Sequence, residues 1–363
     1  MRFPEYSDKW LECELQDIAD LSKGAGISKD QLSETGESCI LYGELYTKYK
    51  SEVISNVVSK TDIESANLVR SKANDVIIPS SGETAIDIST ARCVPYDNIL
   101  LGGDLNIIRL KNQDGRFFSY QLNGVRKLDI AQIAQGVSVV HLYGESLKRL
   151  KVRYPSKSEQ EKVSSLLSVI DERIETQNRI IDKLQSLMKG LAEHLTAFAP
   201  NLKIADCLNC HSSILQENQV KDEGKYKVYG ANGICGYSDS PAILEDAILI
   251  VKDGSGVGNV SYASGEYSVI GTSNYLTAKS GYSLKYLYYC LMIFNFVPYK
   301  TGMAIPHIYF KDYGKALIYC PPLDKQIQIA TLLTKIECKI ETEKAITDSY
   351  LQQKRFLLQS MFI

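Results

Sequence analysis

From Val163 to Leu195, side chains recur in alternating steps of four and three: Val163, Leu167, Ile170, Ile174, Gln177, Ile181, Leu184, Met188, Leu191 and Leu195. Only Gln177 is polar. A two-per-seven stripe is narrower than the face a helix turns to a globular core, and predicts one long helix paired along a coiled-coil seam. Pro155 followed by Ser158-Glu159-Gln160 places its start near residue 157. A second stripe, Ile329, Leu333, Ile336 and Ile340, opens in the same way. Beyond it, Glu343, Thr347 and Lys354 take seam positions, and Ile346, Tyr350, Leu351, Leu357 and Leu358 are expected to carry the apolar contacts. A helix of about 40 residues is roughly 60 Å long. Two such helices with matching seams in one chain pair most simply with each other, antiparallel.

The two stripes are copies. At an offset of 166 residues, Pro155, Gln160, Leu166, Leu167, Ile170, Ile174, Glu175, Thr176, Ile180, Asp182 and Leu191 recur as Pro321, Gln326, Leu332, Leu333, Ile336, Ile340, Glu341, Thr342, Ile346, Asp348 and Leu357. Asp171 answers to Glu337, and upstream Gly136, His141 and Tyr143 answer to Gly302, His307 and Tyr309. An internal repeat of this length organises the whole fold. The chain is a tandem duplication of a globular region followed by a helix, with expected boundaries at 1–153, 154–196, 197–320 and 321–363. In the globular regions, short β-rich runs such as Asp75–Ile78, Ile99–Gly103, Ala247–Val251 and Tyr267–Gly271 are bounded by turn residues, and a helical run spans Leu284 to Phe296. The expected class is α+β: two pseudo-repeated domains joined by two long antiparallel coiled-coil helices.

Composition narrows the function classes. Of 363 residues, 44% are apolar and 23% charged, enough for a real core. With 41 basic and 43 acidic side chains the net charge is −2, which excludes a generally basic nucleic-acid binder. The opening residues lack the apolar region of a signal peptide, the run Leu287 to Val297 is too short to span a membrane, and nine scattered cysteines suit reduced thiols, so a cytoplasmic location is expected. Charge is uneven within the first globular region: residues 1–104 carry 10 basic and 18 acidic side chains, residues 105–153 carry 9 and 3, the latter ending in Lys148, Arg149, Lys151 and Arg153. The second globular region holds 14 of the 23 tyrosines.

No catalytic constellation emerges. Cys207-Leu208-Asn209-Cys210-His211 spells a haem-attachment pattern, but haem attachment needs export and zinc needs a second ligand pair. Asp253-Gly254-Ser255-Gly256-Val257-Gly258-Asn259 is followed by the strand-like Val260-Ser261-Tyr262 rather than a helix, so it reads as a glycine-rich hairpin and not a nucleotide loop. Glu337-Cys338-Lys339 falls inside the predicted coiled coil and reads as a solvated helix face. His141 and His307 lie in apolar runs and read as structural. Two related globular regions on long paired helices form a caliper, suited to two half-sites at a set spacing.

The chain resembles the specificity subunits of type I restriction–modification systems. The resemblance rests on Pro321-Pro322-Leu323-Asp324-Lys325-Gln326-Ile327-Gln328-Ile329-Ala330, on Leu357-Leu358-Gln359-Ser360-Met361-Phe362, on Trp10, Leu15, Ile18, Ser22-Lys23-Gly24 and Tyr42-Gly43-Glu44-Leu45-Tyr46, and on Tyr229-Gly230-Ala231-Asn232-Gly233 and Gly271-Thr272-Ser273-Asn274. The first copy departs from the pattern with Ser156-Lys157-Ser158 after its proline. The resemblance implies a non-catalytic chain with two target recognition domains that read a bipartite double-stranded DNA sequence. Its helices would serve as spacer and as docking surface for two methyltransferase subunits, with restriction subunits joining them and no membrane involved. It implies no cofactor in this chain, with S-adenosylmethionine, ATP and Mg on the partner subunits. The expected DNA-binding residues are Tyr42, Glu44, Tyr46, Lys48, Ser80, Ser81 and Thr84 in the first domain, on strand-end loops with exposed polar tips, and Tyr229, Asn232, Lys252, Ser255, Asn259, Ser273 and Asn274 in the second, where Asn and Lys suit the edges of A and G. The alternative is a coiled-coil scaffold whose globular domains bind protein rather than DNA.

Overall fold

The strand Asp75–Pro79 is buried along its whole length in the computed structural model, which describes residues 1–64, 67–196 and 198–362. Side chains alternate across a strand, so Val76 and Ile78 enter one core and Ile77 another. A sheet buried on both faces explains why the run is continuously apolar. The strand belongs to an antiparallel sheet ordered Ala19–Lys23, Leu105–Leu110, Asp75–Pro79, Arg92–Val94. One face is covered by the helix Gly115–Asn123 through Phe117, Phe118 and Tyr120. The other meets a smaller sheet in which Glu37–Ile40 runs parallel to Leu100–Leu101.

The second half repeats this plan. Leu208–Ser212, Ser273–Ala278, Ala247–Val251 and Val260–Ala263 form an antiparallel sheet in the same order. Ile248 and Ile250 face a core with the helix Leu284–Ile293, while Ala247 and Leu249 face the other side. A parallel pair again completes the fold, Tyr226–Gly230 with Tyr267–Val269. The α+β class and the pseudo-repeat read from the sequence are therefore present as equivalent topologies. The expected helix from Leu284 ends at Ile293, short of Phe296, and Asp253–Asn259 is the glycine-rich connection of an antiparallel pair.

The long helices run Lys157–Thr196 and Leu323–Ser360, 40 and 38 residues. By packing, the chain divides into two compact units, Met1–Asn178 with Ala345–Ile363, and Arg179–Lys344. Each unit thus takes in a stretch of both long helices. Ala197, where the second recognition domain was expected to begin, lies outside the described residues.

Within the first unit the helices run antiparallel: Asp171 meets Lys354 at 2.6 Å, and Arg173 meets the Tyr350 hydroxyl at 3.2 Å. Val163, Leu167 and Ile170 are buried there with Leu357, Met361 and Phe362, and Ile174 is half-buried beside them. In the second unit Met188, Leu191 and Ala192 share a core with Ile329, Ala330 and Leu333. Along the rest of the seam, Ile181 and Ile340 are buried, and Gln177, Leu184 and Ile336 half-buried.

The second helix corrects one expectation. Glu343, Thr347 and Lys354 are themselves buried, whereas Ile346 and Leu351 face solvent. The heptad register is kept with polar members because Lys354 has carboxylates to meet. Its ammonium bridges Glu52 of the globular region and Asp171 of the first helix, and Asp171 also accepts from the Tyr120 hydroxyl at 2.7 Å and Ser51 at 2.9 Å.

Glu337 qualifies a second. Cys338 and Lys339 are exposed, as a solvated face requires, while half-buried Glu337 accepts from the Tyr289 hydroxyl at 2.9 Å, Tyr288 at 3.3 Å and the Lys285 ammonium at 2.8 Å. As Asp171 does in the first unit, it ties a helix of the globular region to a long helix.

The repeated glutamines make a matching joint. Gln160 accepts from the backbone N–H of Asp114 at 3.0 Å and donates to the Pro155 carbonyl at 2.9 Å. Gln326 accepts from the backbone N–H of Ser283 at 2.9 Å and donates to the Pro321 carbonyl at 2.8 Å. Asp114 and Ser283 are the N-caps of the two domain helices, so each glutamine holds a domain helix to the entry of a long one.

These buried joints can be tested by unfolding. Lys354→Met leaves two carboxylates without their cation and should cost about 3–5 kcal/mol in urea unfolding. In a Glu52→Gln, Asp171→Asn background the same change should cost much less. Burial pulls the Lys354 pKa down, but Glu52 and Asp171 outweigh it, so the pKa lies above the ordinary 10.5. A raised folded-state pKa means this contribution is complete below that ordinary value and is lost only as pH rises through the folded one. Gln160→Leu and Gln326→Leu, each stranding a buried N–H, should each cost about 1–3 kcal/mol by the same measurement.

Candidate nucleic-acid interface

In the first unit the strand Asp75–Pro79 runs out into Ser80-Ser81-Gly82. The Ser80 N–H donates to the Asp104 carbonyl at 2.7 Å, and its carbonyl accepts from Leu142 at 2.9 Å. Ser81 and Gly82 pair with His141 and Val140. A Cβ on Gly82 would meet the Ile88 side chain at 2.5 Å and the Tyr46 hydroxyl at 3.9 Å, so Tyr46 reaches over this loop. Burial first, then neighbouring Tyr42, Asp87 and Glu83, raise the Tyr46 pKa above its ordinary value. Tyr42 and Tyr46 are half-buried, and Lys48 and Thr84 exposed.

Three residues of this set do not have the exposed tips expected of them. Ser80 and Ser81 are buried because neighbouring segments pair with the loop on both sides. Glu44 is buried at the start of a helical turn, accepting from the Leu41 N–H at 3.0 Å, the Lys48 ammonium at 2.6 Å and the Ser59 hydroxyl. That triad satisfies the carboxylate internally and leaves it no free oxygen face toward solvent. Thr84 is exposed yet engaged, since it caps the turn Ala85–Ile88 by accepting from the Asp87 N–H at 3.1 Å.

The second unit builds the equivalent place from Ala247–Val251. Its connection to Val260–Ala263 is closed by Val251 and Asn259, with Gly254 and Gly258 in the left-handed region that glycine tolerates. The Lys252 N–H donates to the Thr272 carbonyl at 2.9 Å, and its own carbonyl accepts from Ile308 at 3.0 Å. A Cβ on Gly256 would meet the Asn259 side-chain nitrogen at 3.2 Å and the Ala231 carbonyl at 3.7 Å, which sets the Tyr229–Gly233 turn beside this loop. The structure therefore gathers Lys252, Ser255 and Asn259 with the turn that carries Asn232. Ser255, Asn259 and Asn232 are exposed, Lys252 half-buried, and Tyr229 half-buried edge-on to Tyr267. Ser273 and Asn274, expected among the DNA-binding residues, are buried because both lie in a central strand, where Asn274 accepts from the Ser212 hydroxyl at 2.9 Å.

Charge near these loops is modest. Of the basic cluster ending the first globular region, Lys148 pairs with Glu145, and Arg153 lies 3.5 Å from Glu12. Cys207 is buried, while His211 faces Thr277 at 3.1 Å and stacks on Tyr275, so the haem-like spelling is absorbed by packing.

One shared element of both loop clusters was not singled out as a site from the sequence. In the first unit Gln135 and His141 exchange backbone hydrogen bonds across a hairpin that turns at Gly136 with φ +125°. In the second, Thr301 and His307 do the same across a hairpin turning at Gly302 with φ +90°. The upstream matches Gly136/Gly302 and His141/His307 were its signal. His141 is exposed and His307 half-exposed, so the apolar runs around them bury Val140, Leu142 and Ile308 and leave the imidazoles at the surface.

Comparisons with known proteins identify the family. The family model for the type I restriction modification DNA specificity domain matches residues 7–186 and again 203–349. The chain is 28% identical over 178 residues to a putative type I specificity subunit of Mycoplasma genitalium, covering 44% of this chain and 46% of that protein. It is 22% identical over 173 residues to the specificity subunit of the type I restriction enzyme EcoprrI of Escherichia coli, covering 47% of this chain and 38% of that one. The matches thus span less than half the length of these curated relatives. Among solved structures, the fold is similar to the type I restriction–modification S subunit from M. genitalium, with a TM-score of 0.68 at 18% identity, covering 100% and 99% of the two chains. It is also similar to a chain from a structure on assembly and conformational transition of a type I system, at a TM-score of 0.56 and 14% identity over 97% of each. With both copies of the repeat matched by one family model, the chain belongs to the type I restriction modification DNA specificity domain family.

Proposed function

We propose that this chain is the DNA-reading component of a type I restriction–modification system, each unit engaging one half of a bipartite duplex target. The observation that carries this reading is a single strand-end loop cluster built twice, on equivalent sheets, in one chain. Equivalent scaffolds with different loop residues suit two half-sites of different sequence. In the second unit Asn232, Ser255 and Asn259 offer amide and hydroxyl groups to base edges, with Lys252 beside them. In the first, Tyr42, Tyr46, Lys48 and Thr84 are the accessible members of the set. The buried residues Glu44, Ser80, Ser81, Ser273 and Asn274 would shape these loops rather than touch bases.

A net charge of −2 leaves little electrostatic drive toward phosphates, so the chain alone should bind weakly and rely on partners for backbone affinity. Each unit offers an equivalent seat for a partner. Leu166 and Ile346 are exposed on the long helices of the first unit, Leu332 and Ile180 on those of the second, and these are the repeat-related pairs. Two copies of one methyltransferase subunit fit such a duplicated surface. In this reading S-adenosylmethionine belongs to those subunits, and ATP and Mg to a motor–nuclease subunit.

Co-expression with a cognate methyltransferase, followed by mapping of methylated sites, should reveal a bipartite motif with a fixed gap. Methylation that is independent of this chain would refute the proposal, and binding of a protein partner with no sequence preference on DNA would favour the scaffold reading. Residue roles separate in the same system. Asn232→Ala with Asn259→Ala should relax one half of the motif, at about 1–3 kcal/mol per lost base contact, and leave unfolding unchanged. Glu44→Ala should instead lower stability by about 1–3 kcal/mol, since it leaves the Leu41 N–H and the Ser59 hydroxyl without their buried acceptor.

A further inference from the structure

The hairpins at Gly136 and Gly302 share a tip of unusual character. Val137 is 97% exposed and Val139 53%; Met303 is fully exposed and Ile305 62%. Neither tip has a structural use for these side chains, because the hairpins are anchored by Val140 and Leu142 in one unit and Ile308 in the other. Their base is not free either. Val140 and His141 pair with Gly82 and Ser81, and Pro306 and Ile308 bond the backbone of Gly254 and Lys252. Each tip is therefore held rigidly beside the loop cluster assigned above to base reading. A left-handed glycine repeated at the turn preserves the same geometry twice.

An element kept alike in two units cannot be what distinguishes two half-sites. It suits a contact that every sequence offers. We propose that the two hairpins are aliphatic wedges that seat in a DNA groove beside each half-site and grip or partly unstack a base step without reading it. This rests on the function proposed above. A protein seat would call for a broad patch of several hundred Å² around a packed anchor. Each tip presents only two aliphatic side chains, flanked in the chain by Gln135, Ser138 and His141 in one unit and by Thr301 and His307 in the other. Isolated aliphatic side chains on a rigid protrusion are the form that wedges between base steps.

The test uses the full chain in complex with its methyltransferase subunits. Val137→Ser with Val139→Ser, and separately Met303→Ser with Ile305→Ser, change only exposed side chains, and circular dichroism and co-purification serve as folding and assembly checks. Each pair should weaken binding about tenfold on the target and on duplexes with either half-site scrambled alike. The ranking of sequences and the slope of affinity against salt should stay as in the wild type, because no phosphate contact is removed. With 2-aminopurine beside each half-site, wild-type binding should raise fluorescence and the variants should lose that rise on the mutated side. Unchanged affinity and fluorescence, in a wild type that does prefer its target, would overturn the wedge and leave the proposed function standing. Loss of methyltransferase co-purification would also overturn it, by making the tips a protein seat. A wild type with no sequence preference would sink the proposed function and this inference together.

Discussion

On each long helix a repeat-equivalent carboxylate is satisfied by donors from the globular region, and the way the two are joined depends on that contact. Asp171 and Glu337 are equivalent in the repeat, and each accepts from tyrosine hydroxyls on the helix of its globular region. A buried or half-buried carboxylate without donors is expensive, so this contact is directional in a way that apolar packing is not. It sets the face of the long helix that the globular region must meet. The glutamine joints at Gln160 and Gln326 hold the same helices at their entry. Every globular region is thereby fixed to its helix by a polar contact at the entry, a second along the shaft, and an apolar seam.

The two units solve the cation problem differently. Lys285, which serves Glu337, comes from the globular region of its own unit, whereas Lys354, which serves Asp171, comes from the other long helix. In the first unit the buried charge therefore holds both helices at once. Lys354 sits at a seam position that a heptad usually fills with an aliphatic residue, and buried polar residues at such positions are the ones that select a register. Because the strand-end loops hang from sheets packed on these helices, their placement depends on this polar framework as much as on the cores.

Much of the fold was legible because periodicity and repetition are properties of residue order. The seam from Val163 to Leu184, the start near residue 157 and the strands around Asp75 and Ala247 all follow from local pattern. The expectation that Ile346 and Leu351 would pack did not hold, because apolar character alone does not tell which side of a helix a distant lysine and two carboxylates will claim. The partners of Glu337 were not legible for the same reason: its donors, Lys285, Tyr288 and Tyr289, lie some fifty positions away in the chain. At the candidate interface, the turn residues Asn232, Ser255 and Asn259 are exposed, since hairpin loops are solvated by necessity. Ser80, Ser81, Ser273 and Asn274 are not, because a strand end can be covered by another segment, and nothing local to the residue records it.

By itself, the sequence determined that the chain is a duplicated α+β unit on two long helices of heptad pattern, since each of those statements depends only on spacing along the chain. It also contained the pairs Gly136/Gly302 and His141/His307 that mark the hairpins. Tertiary structure alone decided which polar residues are buried, which apolar ones are left bare, and which loops stand side by side. Those outcomes are set by long-range pairing, through backbone hydrogen bonds and buried charges between segments far apart in sequence, and a residue's own neighbours carry no trace of them.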